Sequence, residues 1–174
     1  SGRANFFFFF HVLRVYARSI TSAKHAHVSD IPGWMKEVER LEAAQVPLPI
    51  IFGHHDLLPT NFMDDGTRLW LIDWEYGGFG TAMFDLANIA SNNQFDAQAE
   101  HELLAQYFER KPDLATLRSF YAMKTASALR EAVWGMVSEI HLNAPGVDYV
   151  AYAQEYLARY SRVLADYNSR FGTP

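Results

Sequence analysis

A short polar segment between two apolar stretches constrains this chain more than any other feature of its sequence. The segment His54-His55-Asp56-Leu57-Leu58-Pro59-Thr60-Asn61 fits the spacing H-x-D-x-x-x-x-N. Asp73 follows directly after the apolar run 69–72, and the turn residues 64–67 lie between the two parts. Because a tight hairpin brings its two ends together, Asn61 and Asp73 are expected to be neighbours. The segment therefore predicts a locally encoded cluster of carboxylate and amide oxygens on a hairpin.

Those residue types at that spacing suit phosphoryl transfer. In the catalytic loop of protein kinases the aspartate meets the substrate hydroxyl and the asparagine holds Mg²⁺, a hard cation that prefers oxygen ligands. The pattern predicts Asp56 as the catalytic carboxylate, Asn61 and Asp73 as ligands of a Mg²⁺ cofactor, and ATP as co-substrate. A transition-metal site at the paired histidines is disfavoured, because neighbouring side chains of an extended loop point apart and no third histidine lies nearby.

The rest of the chain predicts a mainly α (α+β) fold, in which a helical lobe carries one small β-hairpin. A short strand is expected at 50–52, and the glycine-rich stretch 77–80 is expected to be a flexible turn. Asp96, Asp113 and Asp148 are expected to be helix N-caps. Apolar periodicity predicts helices at 6–20, 34–45, 84–92, 96–110, 113–141 and 148–170.

Composition narrows the classes of partner and compartment. Of the 174 residues, 49% are hydrophobic, and the formal net charge is −5. A negative charge gives no attraction to nucleic acid or to an anionic membrane, so neither is expected as a partner. Cysteine is absent, which excludes disulfides and permits a reducing compartment, so a cytoplasmic location is expected.

Three segments together carry a resemblance to a known family: 52–61, then Leu-Ile-Asp-Trp-Glu-Tyr at 71–76, then Phe-Asp-Leu-Ala-Asn at 84–88. They resemble choline and ethanolamine kinases of the aminoglycoside phosphotransferase superfamily. Aminoglycoside kinases share the skeleton, but more often have His-Gly-Asp in the loop and lack the Glu-Tyr. The resemblance implies a protein-kinase-like C-terminal lobe in which His54 braces the loop beside Asp56 and Asp85 helps to hold its architecture. The alternative for Asp85 is an N-cap of a helix that begins at Leu86.

The same resemblance places aromatic side chains around a quaternary ammonium group. Tyr76, Trp134 and Tyr152 fall at matching positions, with Glu75 as a nearby carboxylate. Asn92 departs from the pattern, because an acidic residue is common there. The alternative for Trp134 is packing, since the helix around it carries a long apolar stripe.

The chain offers neither the glycine-rich loop nor the strand lysine with which kinase folds hold ATP. We therefore expect residues 1–174 to be a C-terminal catalytic lobe, with the N-terminal ATP-binding lobe absent from this chain, and the chain alone to be inactive. The apolar surface near 6–16, with its run of five phenylalanines, is expected to promote self-association, up to a homodimer.

Three functions remain open from the sequence. The first is ATP-dependent transfer of the γ-phosphoryl group to a hydroxyl of a small molecule such as choline or a related amino alcohol. The second is the same transfer to an aminoglycoside antibiotic. The third is a non-catalytic lobe that acts as a binding module.

Overall fold

A computed structural model describes residues 6–142 and 144–173 of the chain. The described part is mainly helical, as predicted, with six α-helices and four short strands. The helices are α1 Phe9–Ser22, α2 Ile31–Ala43, α3 Ala82–Asn92, α4 Ala97–Tyr107, α5 Leu114–His141 and α6 Tyr149–Phe171. The strands are β1 Ile50–Gly53, β2 Phe62–Asp64, β3 Leu69–Leu71 and β4 Gly78–Thr81.

The long helix α5 forms the centre of the domain and packs against α1, α2, α3 and α6. Its predicted apolar stripe is confirmed, because Phe120, Leu129, Val133 and Met136 are fully buried. Burial on several faces of one helix requires partners on several sides, and the four packed helices supply them. The segment predicted to be catalytic is held against this helical core by α3.

The three predicted aspartate N-caps are confirmed. The side chains of Asp96, Asp113 and Asp148 each accept a hydrogen bond from the backbone N–H three residues later, at 2.8–2.9 Å. Each bond satisfies one of the N–H groups that the first turn of a helix leaves free. Capping is a local signal, which is why these three helix starts were predicted within one residue.

The predicted hairpin is also confirmed. Strands β2 and β3 pair antiparallel with Phe62 opposite Leu71 and Asp64 opposite Leu69. Asp65 closes the turn by accepting hydrogen bonds from Arg68 N–H at 2.8 Å and from the indole of Trp70 at 2.7 Å. These bonds favour the ionised carboxylate, so the pKa of Asp65 is lowered below its usual range.

The prediction of a flexible turn at 77–80 was wrong. Gly78–Thr81 is a strand, β4, and it pairs antiparallel with β1 so that Phe52 lies opposite Phe79. A Cβ at Gly80 would lie 3.0 Å from Nε2 of His55, so glycine permits a close approach of strand and loop. The strand depends on its pairing with β1, which the glycine-rich sequence does not predict.

The phenylalanine run divides between core and surface. Helix α1 begins at Phe9 rather than at residue 6, and Phe9 and Phe10 are buried while Phe6 and Phe8 are exposed. Phe7 stacks on His55 with ring centroids 4.5 Å apart. Helix α2 begins at Ile31, three residues before its predicted start, because Pro32 is tolerated in a first turn.

Across the described residues, no helix combines the length and the apolarity that crossing a bilayer requires.

Candidate active site

Asp85 holds the backbone of the catalytic loop. It lies in the first turn of α3, and its two carboxylate oxygens accept hydrogen bonds from His54 N–H and His55 N–H, both at 2.8 Å. The alternative of an N-cap is wrong, because α3 begins at Ala82 and Thr81 is the N-cap residue. A single carboxylate thus fixes two consecutive peptide groups just ahead of Asp56.

The two histidines are buried and point in different directions. His54 Nδ1 accepts from Asp56 N–H at 3.2 Å, so Nε2 carries the proton and donates to the carbonyl of Ile72 at 2.8 Å. His55 has φ of +65° and donates from Nδ1 to the carbonyl of Tyr76 at 3.3 Å. Burial lowers the pKa of His55, which keeps this ring neutral. The arrangement joins the loop to the strand that precedes Asp73 and offers no shared metal site.

A buried asparagine that the sequence analysis missed fixes the other side of the loop. Asn88 Oδ1 accepts from Leu57 N–H at 2.7 Å, and Asn92 donates to the Leu57 carbonyl at 3.3 Å. Asn88 and Asn92 are one turn apart on α3 and face the loop together. Their i, i+4 spacing on a helix with few other polar residues was the available signal.

Asn61 and Asp73 lie where the hairpin predicts. The side-chain N–H of Asn61 donates to the backbone carbonyl of Asp56 at 2.8 Å, and the backbone carbonyl of Asn61 accepts from Ile72 N–H at 3.0 Å. The Asn61 amide oxygen therefore remains available as an acceptor. Asp73 is exposed and has φ of +63°, a sparsely populated conformation for a non-glycine residue that often marks functional sites.

These two side chains fit Mg²⁺. Each offers a hard oxygen donor, and neither oxygen accepts a hydrogen bond within the described part of the chain. No group of three or more His, Asp or Glu suited to a metal occurs among the described residues. Mg²⁺ usually takes one or two protein oxygens and completes its shell with water and substrate phosphates, so two protein ligands are sufficient.

The predicted catalytic loop faces a cavity of about 200 Å³ between α3, α5 and α6. It brings together Asp56, Tyr76, Trp134 and Tyr152, all predicted from the sequence. Glu75, which is exposed, is not among the residues that line it. The remaining lining residues are Leu58, Asn88, Asn92, Arg130, Glu131 and Tyr156.

Charged groups around Asp56 tune its acidity in opposite directions. Burial is the main cause that raises the pKa of Asp56, and the Glu131 carboxylate raises it further. The Arg130 guanidinium acts against both and lowers it. Arg130 and Glu131 were missed from the sequence, because adjacent charges on a helix usually mark a solvated face. The signal was their place within the buried length of α5, where an ion needs a partner.

The architecture is mainly helical with a small hairpin, as in protein-kinase-like phosphotransferases, and an aspartate of the loop that follows β1 lines a cavity between helices. Residues 5–120 match the family described as "Phosphotransferase enzyme family" (APH), and the chain belongs to that family.

Named relatives agree with this assignment. A probable ethanolamine kinase of Arabidopsis thaliana is 29% identical over 123 residues, which are 60% of this chain and 33% of that protein. A thiamine kinase of Escherichia coli is 35% identical over 63 residues, or 35% of this chain and 23% of that protein. The crystal structure of a choline/ethanolamine kinase family protein from Mesorhizobium loti superposes with a TM-score of 0.78 at 26% identity, covering 96% of this chain and 58% of that one. The matches thus cover 23% to 58% of the length of these relatives, which is less than two thirds of each.

Proposed function

We propose that this chain is the catalytic and acceptor-binding lobe of a kinase that transfers the γ-phosphoryl group of ATP to the hydroxyl of a small cationic alcohol, most simply choline or a related amino alcohol. The observation that carries the proposal is the position of Asp56. Its carboxylate lies in the wall of a cavity lined by Tyr76, Trp134 and Tyr152, so an acceptor in that cavity presents its hydroxyl to the predicted base.

The loop residues define what each group contributes. Asp56 accepts the proton of the attacking hydroxyl and orients it. His54 and Asp85 hold the loop backbone, so the carboxylate needs little rearrangement when the acceptor arrives. Asn61 and Asp73 would hold Mg²⁺, which neutralises the charge of the ATP phosphates when bound.

The size and chemistry of the cavity favour a small cation. Its volume of about 200 Å³ is below the roughly 300–1,000 Å³ typical of sites for drug-sized ligands. Ring faces attract a quaternary ammonium group, which has no hydrogen-bond donor to offer. An aminoglycoside would extend well beyond such a cavity, and this favours the amino alcohol over the antibiotic.

Thiamine, which carries a hydroxyethyl arm on a cationic ring, is the second acceptor to consider, because the relatives include a thiamine kinase. Choline, ethanolamine and thiamine all carry a primary hydroxyl near a cationic nitrogen. They differ in bulk, so the cavity volume again favours the smaller molecules.

The intact protein that contains this chain provides the test. It is incubated with Mg-ATP and, separately, choline, ethanolamine, thiamine and an aminoglycoside, and the phosphorylated products are measured by mass spectrometry. We expect the highest kcat/KM with choline or ethanolamine. A preference for the aminoglycoside would overturn the acceptor assignment, and cation binding without turnover of any acceptor would favour the binding module.

A further inference from the structure

The acceptor cavity contains a second carboxylate that phosphoryl transfer does not use. Of the residues that line the cavity, Asp56 and Glu131 are the acidic ones. Asp56 faces the reacting hydroxyl in the proposed function, so it cannot also serve as the main partner of a positive charge at the other end of the acceptor. Glu131 is left as the carboxylate that can face that charge.

Contacts on both oxygens hold the Glu131 side chain in place. Oε2 accepts a hydrogen bond from the Tyr152 hydroxyl at 2.8 Å, and Oε1 accepts from Nη1 of Arg130. The side chain is 22% exposed, so it is shielded from bulk water but open to the cavity. A carboxylate fixed in this way loses little entropy when a cation arrives.

Arg130 balances the charges of the empty cavity. Its side chain is 11% exposed, and its Nε is buried without a hydrogen-bond partner among the described residues. Two carboxylates beside one guanidinium leave a single net negative charge in the cavity. A ligand with one positive charge completes the balance, whereas a neutral ligand leaves a half-buried charge without compensation.

We propose that Glu131 is the specificity-determining residue that selects cationic alcohols over neutral alcohols of the same shape. The proposal rests on the proposed function, because it assumes that the acceptor enters this cavity. The proposal assigns recognition of the acceptor's positive charge to Glu131 on α5, whereas the sequence analysis expected Glu75, which follows β3, near that charge. Trp134 and Tyr152 then contribute shape and ring contact, while Glu131 contributes the electrostatic selection.

Choline and its carbon isostere 3,3-dimethylbutan-1-ol provide the probe, because they differ in charge and hardly in shape. The dissociation constants of both are measured by calorimetry on the intact protein, for the wild type and for Glu131→Gln. We expect the preference for choline over the isostere to fall at least about tenfold in the variant, which corresponds to about 1.4 kcal/mol. The neutral isostere should bind the variant as well as, or better than, the wild type.

Two further variants keep the test decisive. Glu139→Gln, two turns along the same helix and outside the cavity, should leave the preference unchanged. Tyr152→Phe removes the hydroxyl that fixes Glu131 and should lower the preference by a smaller factor, and it decides alone if Glu131→Gln does not fold. A preference within twofold of wild type in both Glu131→Gln and Tyr152→Phe would overturn the proposal.

Turnover is measured separately, so that a failure of the proposed function can be distinguished from a failure of the proposed role of Glu131. A cation preference that depends on Glu131, without phosphorylation of any alcohol, would overturn the proposed function and uphold the role of Glu131. Phosphorylation of choline with a preference that ignores Glu131 would do the reverse. Absence of binding by either probe would overturn both.

Discussion

The catalytic loop and the acceptor cavity share Asp56 but are assembled in different ways. The reacting groups of the loop lie within one short region that the hydrogen bond from His54 to Ile72 ties together, and Asp85, 31 residues after His54, braces the loop backbone from α3. The cavity draws its walls from α3, α5 and α6, and its Glu131–Tyr152 hydrogen bond joins two separate helices. Most of the proposed chemical step is therefore encoded locally, whereas the proposed acceptor selection depends on how distant helices pack.

This difference predicts two kinds of mutational effect. Changes in the loop should lower kcat with little effect on acceptor affinity, because they act on the geometry of the reacting groups. Changes in the cavity wall should raise KM with smaller effects on kcat, because they act on contacts made equally in the ground state and the transition state.

The largest effect is expected from Asp56→Asn in the intact protein. The amide cannot accept the hydroxyl proton, so kcat should fall by roughly 10²–10⁴-fold. The melting temperature should stay close to wild type, because the Asp56 side chain makes no hydrogen bond within the described residues. Steady-state kinetics with choline and a thermal melt on one preparation provide the measurement. Near-normal turnover would remove Asp56 from its proposed role.

The next effect is expected from Gly53→Ala at the end of β1. A Cβ there would lie 2.7 Å from His55 Nε2 and 2.8 Å from the Asp85 carboxylate, so the loop must shift. A displacement near the chemistry lowers turnover on the order of 10²-fold, and KM should change much less. Kinetics of the purified variant measure both parameters.

Gly33→Ala is the matched control for this substitution. Gly33 lies inside α2, and a Cβ there would meet nothing within 4 Å. Alanine should stabilise the helix by roughly 0.5–1 kcal/mol and leave turnover unchanged. If Gly53→Ala raised KM and spared kcat, the distinction between the loop and the cavity would not hold.

The same division explains how much of the fold the sequence predicts. The hairpin β2–β3 and the three aspartate caps depend on signals within a few residues, and all were predicted. Strand β4 was missed because its glycines have no apolar alternation and its pairing with β1 depends on residues far back in the chain. Long-range pairing overrode a local signal that indicated a turn.

The candidate site follows this rule as well. Asp56, Asn61 and Asp73 lie close together in the sequence, and their spacing alone predicts their chemistry. Arg130 and Glu131 were missed because only the packing of α5 against α3 and α6 shows that these charges line a cavity. Glu75 was expected beside the acceptor through its neighbour Tyr76, but of the two only Tyr76 lines the cavity.

In the cavity wall, Trp134→Ala tests ring contact with the acceptor. The indole lines the cavity, and its ring centroid lies 5.4 Å from that of Tyr152. A ring face contributes about 0.5–2 kcal/mol to cation binding, so the choline KM should rise roughly twofold to thirtyfold while kcat stays similar. Trp134→Phe should restore part of the affinity.

The competing role for Trp134 is packing, and a thermal melt separates the two. If the indole were purely core, its truncation would cost about 3–5 kcal/mol of folding stability and leave KM of the folded enzyme unchanged. A destabilised variant with normal choline affinity would therefore reject the ring contact.

The smallest effect joins the two regions through charge. Burial and the Glu131 carboxylate raise the pKa of Asp56, so the acid limb of the profile of kcat/KM against pH should lie above the usual range of a carboxyl group. Turnover should fall as the pH decreases through that limb, because the protonated base cannot accept the hydroxyl proton. Glu131→Gln removes one of the causes that raise this pKa, so its acid limb should move to lower pH. Arg130→Met removes the cation that lowers the same pKa, so its limb should move to higher pH.

Choline carries a permanent charge, so the acceptor does not titrate and the shift of the acid limb reports a change in the enzyme. Profiles of the wild type, both variants and Glu139→Gln, measured with choline at fixed Mg-ATP, provide the test. Equal acid limbs in all four would show that the cavity charges do not reach the catalytic base, and the loop and the cavity would then act independently.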